Sequence, residues 1–127
     1  MIEAIDAATK ASLLLALDAA SLRQQAIATN IANANSVGYV RQRVSFEDQL
    51  EQARGTLAAD GSLTPFSLGG VTPKLVPTAR PGAAADPVQL DVEMADLSRN
   101  TVHYQTLLKA LSRQYAILST AVSDGKR

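Results

Sequence analysis

The amino-acid sequence predicts a mainly α-helical protein, whose long N- and C-terminal helices pair as an antiparallel-type coiled coil or helical bundle around an irregular middle. Three observations support this fold class. Both ends carry apolar residues at the alternating three- and four-residue spacing of a helical seam. The hydrophobic content of 46% leans on Ala and Leu, which favour helix. All five prolines lie between Gly55 and Pro87, so no continuous helix is expected there.

The N-terminal helix is predicted to run roughly from Ala7 to Ala34. Its seam has one polar member and consists of Leu13, Leu17, Ala20, Gln24, Ile27, Ile31 and Ala34. An asparagine-rich stretch then leads to Gly38 and Tyr39. Asn side chains compete for backbone hydrogen bonds and Gly accepts left-handed dihedral angles, so the helix is expected to end here and to turn into an extended segment.

The C-terminal helix is predicted over residues 88–123. Its seam contains one non-apolar member and consists of Met94, Leu97, Thr101, Tyr104, Leu108, Leu111, Tyr115, Leu118 and Val122. Asp86-Pro87 resembles an N-cap followed by Pro at the first helical position, with Gln89 placed for a capping box. Asp91 is also suited to the positive end of a helix, which leaves a later start open. Gly125 is a reasonable stop.

The middle of the chain is expected to be irregular. Residues 55–86 form an insert that we expect to be partly disordered in the isolated chain, because its Pro and Gly content disfavours regular structure. Val71 to Val76 could form one short strand, which Pro73 and Pro77 would confine to a sheet edge. Residues 1–54 hold the N-terminal helix and turn and residues 87–127 the C-terminal helix, and the three segments together make one domain.

The composition argues against several functional classes. The 12 basic residues are balanced by 12 acidic ones, so no strong attraction to nucleic acid is expected. The chain has no Cys, and His103 is the only His, which leaves no ligand set for a metal. We expect His103 to be solvated. The sequence therefore predicts no cofactor, no metal and no nucleic-acid partner.

An enzymatic role also lacks candidate residues. Asp91, Glu93 and Asp96 could be taken for paired acid–base carboxylates, but acidic residues in the first turns of a helix are better explained by the helix dipole. No Gly-rich phosphate loop or nucleophile–base set is evident. We therefore expect a protein that is not an enzyme and has no small-molecule substrate.

The N-terminal region carries a family resemblance. The residues that carry it are Asn30-Ile31-Ala32-Asn33, Gly38-Tyr39, Arg41 and Phe46. This set resembles the N-terminal signature of bacterial flagellar axial proteins, the family of rod, hook and hook-associated proteins. In that family an Asn-Ile-Ala-Asn core leads to a Thr-Pro-Gly-Tyr turn, and here Ser36-Val37 stands where Thr-Pro is usual.

The C-terminal region narrows this resemblance to the rod members of the family. The stretches 88–97 and 104–108 look like the proximal rod subunit of the flagellar basal body. The resemblance implies a structural protein that polymerises through its terminal helices into the proximal part of the shaft that transmits torque from motor to hook. It further implies export without a cleaved signal peptide to a periplasmic rod. The implied partners are other copies, other rod subunits, the rod–ring junction protein and the flagellar export apparatus.

The expected subunit interface draws on both helices and the turn. Its candidate residues are Leu13, Leu17, Ile27, Asn30, Ile31, Asn33, Gly38, Tyr39, Met94, Leu97, Tyr104, Leu108, Leu111, Tyr115 and Leu118. For the asparagines, helix termination is an alternative explanation. For the chain as a whole, the alternative is a cytosolic coiled-coil adaptor or secretion chaperone that binds a client helix.

Overall fold

The computed structural model describes residues 2–57 and 68–126. Within them lie three helices and two strands. In chain order these are α1 (Ile2–Ala32), β1 (Gln42–Ser45), α2 (Glu47–Leu57), β2 (Lys74–Pro77) and α3 (Leu90–Asp124). No helix among these residues is both long enough and apolar enough to cross a membrane.

The two long helices pack against each other in antiparallel fashion. The Gln114 side chain donates a hydrogen bond to Asp6 at 3.0 Å near one end of the pair, and Asn30 donates to Glu93 at 3.3 Å near the other. Residue numbers thus rise along α1 as they fall along α3. The predicted antiparallel pairing of the terminal helices is confirmed.

The core between the helices is built from small side chains. On α1 the buried apolar residues are Ala8, Ala19, Ala20, Ala26 and Ile27. Alanines allow two helix backbones to approach closely, but they bury little apolar area each. The largest fully buried side chains are polar, namely Asn30 and Glu93. Apolar burial alone therefore does not fix how α1 and α3 meet.

The face that α3 turns toward α1 differs in part from the predicted seam. Leu97, Leu111 and Leu118 are half-buried as expected. The other members of the predicted seam are largely exposed, with Met94 at 52%, Leu108 at 42% and Val122 at 61%. Buried Glu93 and Asn100 lie on the α1 side in their place. The helix is therefore rotated relative to the prediction, because polar contacts as well as apolar ones determine the packed face.

A two-stranded antiparallel sheet lies beside α1. Its register pairs Gln42 with Pro77 and Ser45 with Lys74. A short strand was expected between Val71 and Val76, and the structure has one as β2, which begins three residues later at Lys74 and includes Pro77. β1 and α2 were not predicted. β1 is only four residues long, and α2 is rich in acidic and Gln side chains, so neither shows a clear apolar period.

The helix boundaries correct two expectations. α1 ends at Ala32, two residues before the predicted end. α3 begins at Leu90, and Gln89 is its N-cap, with an extended backbone and no capping hydrogen bond from its side chain. The predicted cap at Asp86-Pro87 is therefore wrong, and the later start is the correct one. The first helical hydrogen bond runs from the Glu93 N–H to the Gln89 carbonyl at 3.0 Å.

Candidate subunit interface

The turn after α1 is held by its own backbone and side chains. The Asn33 side chain donates to the Thr29 carbonyl at 2.9 Å, and the Ser36 N–H donates to the Asn33 carbonyl at 2.9 Å. Gly38 has a φ of 75°, a left-handed conformation that glycine adopts without steric cost. Val37 is fully exposed at the tip. The expected helix termination is confirmed, and Asn33 contributes to it.

Asn30 ties the end of α1 to β1. Its Nδ2 donates to the Gln42 carbonyl at 2.9 Å, and its Oδ1 accepts from the Gln42 N–H at 2.8 Å. The same oxygen accepts from the Tyr39 hydroxyl at 2.7 Å. With the further bond to Glu93, all four hydrogen-bonding positions of the amide are used within the chain.

Glu93 extends this network to α3. Its carboxylate is fully buried, and Arg41 Nε donates to Glu93 Oε1 in a close ion pair. Arg41 also lies 3.7 Å from Asp96. A buried carboxylate is tolerated only when it is paired and hydrogen-bonded, and Arg41 and Asn30 provide both. We call the four side chains Asn30, Tyr39, Arg41 and Glu93 the polar tie, because they join the end of α1, the turn and the start of α3.

The polar tie changes the acidity of Tyr39. Burial, and to a smaller extent the negative charge of Glu93, raises the pKa of the Tyr39 hydroxyl above its usual value of 10.0. The hydroxyl therefore stays protonated, and keeps donating to Asn30, to a higher pH than an exposed tyrosine would.

An open cleft of about 390 Å³ lies beside the polar tie, between α1, β1 and α3. Its charged lining consists of Arg23, Arg41, Arg43, Arg99, Glu47, Glu93 and Asp96. These charges largely pair with one another, as in Arg23–Glu47 at 2.5 Å and Arg99–Asp96 at 3.0 Å. Within residues 2–57 and 68–126 no group of three or more His, Cys, Asp or Glu side chains is placed to hold a metal ion.

One polar atom at the helix interface lacks a partner. The Asn100 Nδ2 donates to the Ala20 carbonyl at 2.9 Å and to Gln24 Oε1 at 2.8 Å. These bonds fix the orientation of the amide, and its buried Oδ1 accepts no hydrogen bond from the described residues. This pair of amides restricts the register of α1 against α3 at some cost in stability.

The predicted interface residues fall into two groups. On α1 and the turn, Ile27 and Asn30 are buried, and Gly38 is exposed. Half-buried there are Leu13, Leu17, Ile31, Asn33 and Tyr39. On α3, Leu97, Leu111 and Leu118 are half-buried, whereas Met94, Tyr104, Leu108 and Tyr115 are exposed. Contact of any of these residues with another subunit stays a prediction.

Sequence reasoning did not identify Glu93, Arg41 and Asn100 as packing residues. From the sequence alone, Glu93 is explained by the helix dipole, and Arg41 enters only as one of the residues of the family resemblance. A signal was present, since Glu93, Leu97 and Asn100 share one helical face with spacings of four and three. A buried acid on such a face requires a cation, which Arg41 supplies from a distant part of the chain.

An uncovered apolar stripe runs along α3. Its members are Met94, Leu108, Tyr115 and Val122, with exposed fractions of 52%, 42%, 47% and 61%. They follow a seven-residue repeat in which the position between Met94 and Leu108 is occupied by the polar Thr101. Lys10 of α1 reaches over the Tyr115 ring, 4.9 Å from its centre, and marks the edge of the covered face. A stripe with a seven-residue repeat fits another long helix.

Comparison with known proteins agrees with the resemblance that the sequence motifs carry. The chain is 29% identical over 116 aligned positions to flagellar basal body rod protein FlgB of Bacillus subtilis, covering 87% of this chain and 90% of that protein. It is 29% identical over 138 aligned positions to the FlgB proteins of Escherichia coli and of Shigella flexneri, covering 98% of this chain and 99% of each. The chain is similar to flagellar basal-body rod proteins. No family model matches it.

Proposed function

We propose that this protein is a structural subunit of the flagellar basal-body rod. It polymerises through its terminal helices to form the proximal part of the shaft that transmits torque from motor to hook. Similarity to three FlgB rod proteins along nearly their whole length supports the assignment. The observation in the structure that carries it is the uncovered stripe of α3, which offers a second helix-packing surface beside the one already used by α1.

The exposed area points to assembly as well. The chain exposes 8904 Å² of surface. A compact monomer of 13.4 kDa is expected to expose only about 6,500 Å². The excess is larger than the roughly 800 Å² that each partner buries in a protein–protein interface of standard size. A chain with this much uncovered surface gains stability when neighbouring subunits cover it.

The proposal includes location and partners. The protein is exported without a cleaved signal peptide and assembles in the periplasmic rod. Its partners are other copies of itself, other rod subunits, the rod–ring junction protein and the flagellar export apparatus. The cytosolic adaptor is not favoured, because the similar proteins are rod subunits and because the Asn30–Tyr39 turn has no role in that alternative.

The test is quantitative mass spectrometry of this chain in purified hook–basal bodies and in the cytosol of the source bacterium. We expect several copies per basal body and a small cytosolic pool. Absence from basal bodies together with a soluble cytosolic pool would overturn the proposal and make the adaptor the leading candidate.

A further inference from the structure

α2 is an acidic helix with little cover. Asp48 and Glu51 have side-chain exposures of 70% and 76%. No broad packing contact joins α2 to another helix or strand among the described residues. Its start is held to α1 by the Arg23–Glu47 ion pair. Among the described residues, Asp48 and Glu51 form only long ion pairs, at 3.8 Å each, and exposed pairs of this kind contribute little.

α3 presents a basic face on the side away from α1. We call it the outer face, and it consists of the exposed residues Val102, Thr106, Lys109, Arg113 and Ile117. The sequence from Leu97 to Ser123 contains no acidic residue. No carboxylate of the described residues pairs with Lys109 or Arg113. Val102 and Ile117 add apolar area, with exposed fractions of 64% and 54%.

We infer that α2 of one copy docks on the outer face of α3 of a second copy. Asp48 and Glu51 pair with Lys109 and Arg113 across this contact. This inference rests on the proposed assembly function and names the contact that a second copy makes. It concerns a different face of α3 from the uncovered stripe.

The spacing of the charges fits this contact. Asp48 and Glu51 are three residues apart and Lys109 and Arg113 four apart, so each pair lies on one side of its helix. Within one chain, α2 and α3 share no broad packing contact among the described residues, and no ion pair of these residues joins α2 to Lys109 or Arg113. The acidic and basic surfaces are therefore open to a contact between two copies.

The docking has a consequence for the form of the assembly. The two surfaces belong to different parts of the same chain, so the contact closes a dimer only where both copies dock on each other reciprocally. A copy that docks on one neighbour and receives a third copy on its own outer face makes a heterologous contact. Such contacts close a ring where the rotation between copies allows it and otherwise extend an open helical array.

The experiment uses charge reversal and its rescue in a strain that lacks the native chain. One variant carries Asp48→Lys and Glu51→Lys, which leaves the Arg23–Glu47 pair intact. A second carries Lys109→Glu and Arg113→Glu, and a third combines all four changes. The matched control reverses two exposed cations elsewhere, Lys74→Glu and Arg80→Glu. Copies per basal body are counted by mass spectrometry, and circular dichroism of the purified variants checks that they fold.

We expect each double reversal to lower incorporation about tenfold, the fourfold variant to recover to within about threefold of the unaltered chain, and the control to assemble normally. If all variants assemble as well as the unaltered chain, this inference is wrong while the rod proposal stands. If the folded fourfold variant stays as low as either double variant, α2 is not the occupant of the outer face. If the unaltered chain is absent from basal bodies, the rod proposal itself fails.

Crosslinking supplies an independent readout should a reversal impair folding. The chain has no Cys, so copies carrying Glu51→Cys and differently tagged copies carrying Arg113→Cys can be expressed together. We expect an oxidised dimer of the two tags in isolated basal bodies, and none when Arg80→Cys replaces Arg113→Cys. Equal crosslinking in both mixtures would overturn the inference.

Discussion

The side chain of Asn30 pairs with the backbone of Gln42 as a neighbouring strand would. The Gln42 N–H donates to Asn30 Oδ1 at 2.8 Å, and Asn30 Nδ2 donates to the Gln42 carbonyl at 2.9 Å. These two hydrogen bonds cover the edge of β1 that faces α1. Without them, the backbone groups of Gln42 on that edge would be unpaired. The asparagine at the end of α1 is therefore a structural link between elements as well as a helix-ending residue.

Replacing Asn30 tests that link. Asn30→Asp keeps the shape but removes both N–H donors and places a second carboxylate beside Glu93, which lies 3.3 Å from the amide. We expect a loss of about 3 kcal/mol in the free energy of unfolding, measured by urea denaturation. The matched control is Asn33→Asp, where one exposed hydrogen bond to Thr29 is lost and the expected change is below about 1 kcal/mol. Equal losses in the two variants would show that the polar tie is not the source of stability.

The Tyr39 hydroxyl is expected to make the fold sensitive to alkaline pH. Its pKa is raised in the folded protein, so the folded state favours the protonated phenol more than the unfolded state does. The corresponding stability is fully present below the unfolded pKa of about 10 and is lost as the pH rises through the higher folded value.

Tyr39→Phe removes this titrating group. We expect the variant to lose about 1 kcal/mol at neutral pH, because the hydrogen bond to Asn30 at 2.7 Å is gone. Its stability should also fall less steeply than that of the unaltered chain above pH 10, as followed by urea denaturation at a series of pH values. Tyr115→Phe serves as the control, since its hydroxyl is outside the polar tie. An unchanged alkaline slope in the Tyr39 variant would contradict the prediction.

The charge of Glu93 is expected to stabilise the folded protein. Glu93→Gln preserves the shape but leaves Arg41 with only the more distant Asp96, 3.7 Å away. Because Arg41 is 29% exposed and partly solvated, we expect a loss of about 2 kcal/mol, less than for a fully buried broken pair. Asp91→Asn, at an exposed position in the first turn of the same helix, should change stability by less than about 1 kcal/mol. Thermal unfolding is measured for both variants, and similar midpoints would contradict the prediction that Glu93 contributes more than Asp91.

The sequence patterns predict the long helices well because their signals are local. Apolar spacing marks α1 and α3, the glycine at 38 marks the turn, and the prolines around β2 restrict that strand to an edge. The partnership of Asn30 with Glu93 could not be predicted in the same way, because the two residues are 63 positions apart. Locally each has an ordinary explanation, as a helix-ending Asn and as an acid at a helix start. Only the tertiary fold reveals that both are buried and bonded to each other.

The same limit explains the rotated face of α3. A seven-residue apolar repeat indicates that a helix has a packing surface, but a helix with two apolar stripes does not reveal which one a given neighbour covers. Leu111 belongs to the stripe that α1 covers, and Leu108 to the one it leaves exposed. These two leucines therefore separate packing within the chain from packing between chains.

Substituting the two leucines in turn tests the proposed assembly surface. Leu111→Asp buries a charge against α1, and we expect it to lower the free energy of unfolding by about 3 kcal/mol and to reduce incorporation through misfolding. Leu108 is 42% exposed, so Leu108→Asp should change stability by less than about 1 kcal/mol.

We nevertheless expect Leu108→Asp to reduce copies per basal body strongly, because a charge in the uncovered stripe would be desolvated when a neighbouring helix packs there. Urea denaturation of the purified chains and mass spectrometry of isolated basal bodies separate the two effects. A folded Leu108→Asp variant that assembles normally would show that the uncovered stripe is not a subunit interface, whereas loss of assembly with unchanged stability would place the contact on this stripe.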